Sequence, residues 1–476
     1  MKFLCLNLFA MLIVSSVAKA EPVKLKLDSG TVIGTSDGEV KVFKGIPYAK
    51  PPVGDLRWQP PQRINWIGER DATQYALPCP QPTPSSGVNG GGVSGATSED
   101  CLYLNVWMPK NAKNAPVMLF LYGGAGFLGA GSVPTYDGTS FAKKGIVLVT
   151  INYRLGMLGV FAHPALSKIA KPDEPLANYQ LMDAIAALEW VQRNGKALGA
   201  NTRNVTLFGQ SAGAVMVAAL LSTPPSKDLF QKVIIQSAVP QLGGSRTLAQ
   251  AEANGVKFAT TLGLTGEDAT PAELRALPVE KVISGEALSS GFRNGSYLVI
   301  DGKVRTTTTG AGFTNGATVD VPLITGSTKA EFFGPEAGKM VDLASRTGKA
   351  AAWQYFFTYV PEWRAAQQPK GPPHAAELPY VFDTLRSSLT GGGSKTTESD
   401  EAVAKSISSC WVAFAKARQT AKSLTCEDGF VWHSRTPEND AIAVFGEKPS
   451  MAKATPLISE NAIAFPIRAD IGEPTD

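Results

Sequence analysis

The chain has 476 residues, 44% of them hydrophobic and 18% charged. That balance excludes an intrinsically disordered chain and is enough for one large core or two. The formal charge of +4 is small and evenly spread, so nothing in it argues for a nucleic-acid or anionic-membrane partner.

The first twenty residues differ from the rest. Lys2 supplies a short positive start, residues 3–17 form an apolar run broken only by Asn7, Ser15 and Ser16, and Ala18-Lys19-Ala20 is an A-x-A cleavage pattern. This predicts a signal peptide over residues 1–20, cleaved after Ala20, and a secreted or periplasmic protein. The alternative, a membrane anchor, asks for a longer span. No later segment has eighteen consecutive apolar residues, so no membrane span is expected. Loss of Lys2 and Lys19 lowers the charge from +4 to +2. Cys5 leaves with the signal, and Cys79, Cys101, Cys410 and Cys426 remain. An even count in an exported chain predicts two disulfides. Three pairings are possible. The nearest-neighbour pairing, Cys79–Cys101 with Cys410–Cys426, closes two short loops, each worth roughly 3 kcal/mol. None of the four lies in a C-x-x-C or Cys/His cluster, so no metal site is expected.

Residues 117–122 (VMLFLY) and 146–151 (IVLVTI) are short apolar runs bounded by Gly or Pro, which predicts strands buried on both faces. From Leu181 the period becomes helical through Ile185, Leu188 and Val191, with Gly195 and Gly199 as stop signals. A strand over 205–208, a tight turn, a helix over 212–221 and a strand over 233–236 follow. The β-α-β alternation predicts one α/β domain over residues 21–476, with a mainly parallel sheet flanked by helices. The pattern weakens over 243–318, read as a cap insertion, and resumes with strands over 321–325 and 355–359. A second cap insertion is placed at 334–373. The Gly/Ser-rich segments 85–95 and 390–394 are expected to be exposed loops.

Gly209-Gln210-Ser211-Ala212-Gly213 falls between a predicted strand and a predicted helix. In that context a G-x-S-x-G pattern predicts a sharp turn that presents Ser211 as a nucleophile. A serine hydroxyl needs a base, and the chain holds three histidines: His163, His374 and His433. In this kind of fold the order is nucleophile, acid, histidine, which excludes His163. His374 follows a strand in a loop and is the expected base. His433, in Val431-Trp432-His433-Ser434, reads as packing. The acid belongs between Ser211 and His374 and after a strand; Glu331 is the first carboxylate after 321–325, with Asp301 as the alternative. An oxyanion needs backbone donors. Ala212, next to the nucleophile, supplies one, and Gly124, Ala125 or Gly126, directly after the strand at 117–122, supply others.

Further segments carry a resemblance. Phe43-Lys44-Gly45-Ile46-Pro47-Tyr48-Ala49 with Pro51-Pro52-Val53-Gly54, Glu99-Asp100-Cys101-Leu102-Tyr103-Leu104-Asn105-Val106, Asn152-Tyr153-Arg154, residues 204–208 and 326–332, and His374-Ala375-Ala376-Glu377-Leu378-Pro379-Tyr380 occur in order. The series resembles the type-B carboxylesterase family, which includes the cholinesterases. The resemblance implies an α/β-hydrolase fold with a sheet of eight or more strands, Ser/Glu/His ester hydrolysis without a cofactor, and a disulfide from Cys101 to Cys79.

The chain departs from that pattern in several places. Gln210 stands where the family usually has Glu. The segment from Gly123 to Phe127 carries one residue more than usual, which leaves open whether Ala125 or Gly126 donates. Ser237-Ala238 stands for the usual Ser-Gly. The stretch from Glu331 to His374 is short, which implies a reduced helical cap. The loop between Cys79 and Cys101 has no aromatic residue, so the ring that binds choline in cholinesterases has no counterpart there. The expectation is a secreted carboxylic ester hydrolase acting on neutral or bulky esters. The rival readings are a non-catalytic adhesion protein on the same fold and an amidase or acyltransferase with the same three residues. The partner expected is a small-molecule ester; oligomeric state is not legible.

Overall fold

The computed structural model describes residues 20–83, 93–238, 245–284, 298–331, 333–388, 390–436 and 438–454. The expected signal segment, Ala20 excepted, and most of the loop at 85–95 lie outside them. Among the described residues no helix is long and apolar enough to cross a membrane.

One 13-stranded sheet organises the chain. Its members include β1 (Glu21–Lys26), β2 (Thr31–Ser36), β3 (Val40–Pro47), β4 (Tyr103–Pro109), β5 (Ala115–Leu121), β6 (Val147–Ile151), β7 (Ala200–Gln210), β8 (Lys232–Gln236), β9 (Leu323–Thr328), β10 (Ala352–Phe357), β11 (Ala441–Phe445) and β12 (Pro449–Lys453). The spatial order is β1-β2-β3-β4-β6-β5-β7-β8-β9-β10-β11-β12, and a short strand, Glu69–Asp71, pairs with β2. The run from β6 to β11 is parallel. An antiparallel meander flanks it on one side and the β11–β12 hairpin on the other.

The chemistry of the strands follows from this layout. Every residue of β6 and β8 is buried, as central parallel strands covered on both faces require. This is why 146–151 and 233–236 read as continuous apolar runs. The covering helices include α1 (Tyr179–Asn194), α2 (Ala212–Leu220), α3 (Leu248–Thr261), α4 (Gly334–Thr347) and α5 (Glu398–Lys416). Helix α5 starts on a reciprocal cap, in which the Thr397 side chain accepts from the Asp400 N–H and Asp400 accepts from that of Thr397. Rings of Phe120, Phe208, Phe382 and Tyr136 meet in the core with centroids 4.8 to 5.8 Å apart. The disulfides are Cys79–Cys101 and Cys410–Cys426, with Cα–Cα distances of 5.0 and 4.7 Å. The second ties α5 to the chain just after the strand Ser423–Thr425.

The sheet places the candidate site. Strand order reverses where β5 sits between β6 and β7, and a crevice forms at the carboxyl ends of strands at such a switch point. Register aligns those ends: Gly209 pairs with Leu121, Gln210 with Gln236, and Gln236 with Gly326. The segments after β5, β7, β8 and β9 therefore emerge side by side.

Candidate active site

Ser211 is the single residue between β7 and α2, with φ 56° and ψ −126°. A non-glycine residue rarely accepts such angles, and one that does is held there by its surroundings. The surroundings are two close approaches. A Cβ on Gly209 would lie 2.7 Å from the Gly213 carbonyl carbon, and one on Gly213 would lie 2.0 Å from the Leu121 oxygen. Only glycine at both positions lets strand and helix fold back this tightly. The Ser211 N–H donates to the Gln236 carbonyl at 2.9 Å, which fastens the turn to β8.

His374 and Glu331 meet through Nδ1 and Oε2 at 2.5 Å. Glu331 is 7% exposed, and its other oxygen accepts from the Ser237 hydroxyl at 2.6 Å and the Thr328 N–H at 2.7 Å. Two donors on one oxygen fix the orientation of the carboxylate. Ser237, at φ 55°, turns away from β8 much as Ser211 turns away from β7. Burial opposes a charge on His374, but the hydrogen bond and charge of Glu331, with the charge of Glu377, outweigh it, so its pKa is raised above the usual imidazole value. With Nδ1–H donating to Glu331, Nε2 of the neutral ring is an acceptor. The Gln210 amide nitrogen reaches it at 3.1 Å. Among the described residues, that nitrogen is engaged by Gln210 and not by the Ser211 hydroxyl.

A second carboxyl lies behind the first. Glu377 is 1% exposed, and burial, followed by the charge of Glu331, pushes its pKa up to about 7. One of its oxygens accepts from the Gln236 amide at 3.1 Å; the other has no partner among the described residues. Gln236 in turn accepts from the Trp411 indole at 3.3 Å. The sequence contains Gln236, Ser237 and Glu377 in plain view, but no local signal joins residues 94 to 141 positions from their partners.

Gly124, Ala125 and Gly126, the candidate backbone donors, follow β5, and Ala212 opens α2. Gly123 packs against the turn: a Cβ there would lie 3.0 Å from that of Ser211. Ala125 has φ 55° and Gly126 φ 77°. Among the described residues the N–H groups of Gly124, Ala125, Gly126 and Ala212 donate to no protein acceptor, whereas Phe127 and Leu128 donate back to the Gly124 carbonyl. Such free donors beside a strained serine, with an imidazole held by a buried carboxylate, can stabilise a tetrahedral oxyanion and move a proton to and from it.

The other candidates lie elsewhere. His163 caps a helix, accepting from Ala165 N at 3.1 Å, with its Nε2 3.1 Å from the Gly266 carbonyl. Asp301 binds backbone N–H groups of its own loop, Arg305 N at 2.7 Å among them. His433 ends a short strand with its side chain exposed, so it is not the packing residue its neighbours suggested. The buried residue of that strand is Trp432. The Phe333 ring lies beside that of His374, with centroids 5.5 Å apart. The segment 390–394, expected to be exposed, is also corrected: Gly391 is buried, and the Thr390 carbonyl accepts from Arg364 at 2.9 Å.

The model of the carboxylesterase family matches residues 21–340 and 332–462. Fumonisin B1 esterase of Sphingopyxis macrogoltabida is 34% identical, over 81% of this chain and 80% of that protein. Para-nitrobenzyl esterase of Bacillus subtilis is also 34% identical, over 81% and 88%. Among solved structures, a PNB esterase superposes with a TM-score of 0.76 at 27% identity, covering 92% of this chain and 99% of that one.

Proposed function

The chain belongs to the carboxylesterase family, with the α/β-hydrolase fold of a carboxylic ester hydrolase, and from that premise we propose that it is an exported serine esterase working through Ser211, His374 and Glu331. The observation that carries the reading is the convergence at the carboxyl ends of central strands: a serine at φ 56° follows the residue whose amide touches His374, and His374 rests on a buried carboxylate with two further donors.

In this mechanism the substrate displaces the Gln210 contact. Ser211 Oγ attacks the ester carbonyl as His374 Nε2 takes its proton. The oxyanion rests on the N–H groups of Gly124, of Ala125 or Gly126, and of Ala212. Glu331 holds the imidazolium, which then gives its proton to the departing alcohol. Water hydrolyses the acyl-enzyme by the same path. Two disulfides support export, because the cytosol keeps such thiols reduced. Gln210 in place of a carboxylate, and no aromatic residue between Cys79 and Cys101, support neutral or bulky esters over choline esters.

The test is turnover of a p-nitrophenyl ester. Ser211→Ala, His374→Ala and Glu331→Gln should each cost several orders of magnitude, and double variants little more, because the three act as a unit. Near-normal turnover by His374→Ala beside an inactive His433→Ala would contradict the assignment.

A further inference from the structure

A cavity of about 460 Å³, measured out to its open mouth, lies against the His374 loop and does not include Ser211 in its wall. Phe357, Tyr359 and Tyr380 contribute rings, Trp363 and Arg364 a further wall, and His374 with Ala375 and Ala376 one side. The wall is built rather than incidental. Gly392, at φ 103°, lets the 390–394 loop lie on the Trp363 indole, where a Cβ would come within 2.6 Å of the ring. The Arg364 guanidinium stacks on that ring at 4.5 Å from its centroid, and one of its nitrogens donates to the Thr390 carbonyl at 2.9 Å.

The cations lie on the Trp363 side of this wall, whereas Glu331 and Glu377 act on His374 at its other side. Among the described residues no carboxylate pairs with Arg364; its partners are a carbonyl and a π face. Burial lowers its pKa, and only the nearby Tyr380 works against that, so a bound anion would relieve a desolvated cation. Lys395 Nζ adds a second cation, 5.6 Å from the Trp363 centroid. Asp400 and Glu447 both act on Tyr359; Asp400 is occupied, accepting from the Tyr359 hydroxyl at 2.6 Å and capping α5. Glu362, next to Trp363, is exposed.

We propose that this cavity is a subsite for the free carboxylate of an ester that carries one, the apolar part lying among Phe357, Tyr359 and Tyr380 and the carboxylate on Arg364. The assignment rests on the esterase reading above and refines it: the bulk accepted beside His374 is an apolar group ending in an anion. A guanidinium is suited to this role because its fork matches a carboxylate with two parallel hydrogen bonds.

The experiment uses 4-phenylbutyrate and its neutral amide as probes on the full mature protein. Binding is measured by calorimetry, and protection of the nucleophile by the rate of fluorophosphonate labelling. The acid should bind at least tenfold tighter than the amide. Arg364→Gln should remove that preference, and Arg364→Lys should keep part of it with an unchanged circular dichroism spectrum. The acid should also slow labelling. Equal affinity for acid and amide, a preference that survives Arg364→Gln, or tight binding without protection would each overturn the subsite. Failure of labelling altogether would strike the esterase reading instead and leave the calorimetric comparison standing.

Discussion

Gln210→Glu puts a carboxylate where an amide nitrogen now lies 3.1 Å from His374 Nε2. Charge and proton would then attract where at present two neutral groups share a hydrogen bond. Two unit charges about 4 Å apart interact by about 1 kcal/mol in a water-like medium and about 4 kcal/mol at an effective dielectric near 20. At about 1.4 kcal/mol per pH unit, the ionisation of the base should rise by roughly 1 to 3 units. His374 is 35% exposed at its side chain, which favours the lower part of that range. The sign follows from the mechanism. The base works as neutral imidazole, Glu331 already lifts its pKa, and a second carboxylate lifts it further. The acid limb of activity therefore moves to higher pH. The assay is kcat/KM against pH for a neutral ester, which reports ionisations of the free enzyme. Gln210→Met, which removes the donor without adding charge, should leave the limb within about half a unit. A limb that stays still or moves down in Gln210→Glu would refute both the contact and the assignment of His374 as the base.

Mass mapping of the exported protein without reduction should give Glu21 as the first residue and Cys79–Cys101 and Cys410–Cys426 as linked peptides; free thiols or another start would count against export. Replacing Cys410 and Cys426, 16 residues apart, with serine should lower stability in denaturant titrations by about 3 kcal/mol in the loop-entropy view, and no change would set that view aside. On specificity, a choline ester should be no better a substrate than its neutral isostere with carbon in place of the ammonium nitrogen. A tenfold preference for the cation, about 1.4 kcal/mol, would overturn the reading of Gln210 and the Cys79–Cys101 loop.

What the sequence made legible was local. Gly209 to Gly213 spells out a strand, a turn and a helix, because the close approaches at Gly209 and Gly213 admit no side chain. The central strands were readable because burial on both faces removes polar residues from them. The meander of β1, β2 and β3 is less legible, since its strands lie toward one side of the sheet and carry mixed exposure. Helix α5 carries a sequence signal of its own in the cap residues Thr397 and Asp400. The contacts that tune the site, Gln210 to His374, Ser237 to Glu331 and Gln236 to Glu377, join segments whose proximity only the sheet register creates. The Gly/Ser composition of 390–394 suggested solvent, but there glycine serves contact with Trp363.

The central claim is that Ser211 is the activated nucleophile, and a fluorophosphonate tests it most directly because the reagent reacts with a serine whose proton is being removed. Incubation followed by peptide mass analysis should place one phosphonyl group on Ser211, with labelling lost in Ser211→Ala and strongly slowed in His374→Ala. Modification at another residue, or a Ser211 that stays unmodified while the protein hydrolyses esters, would contradict the account.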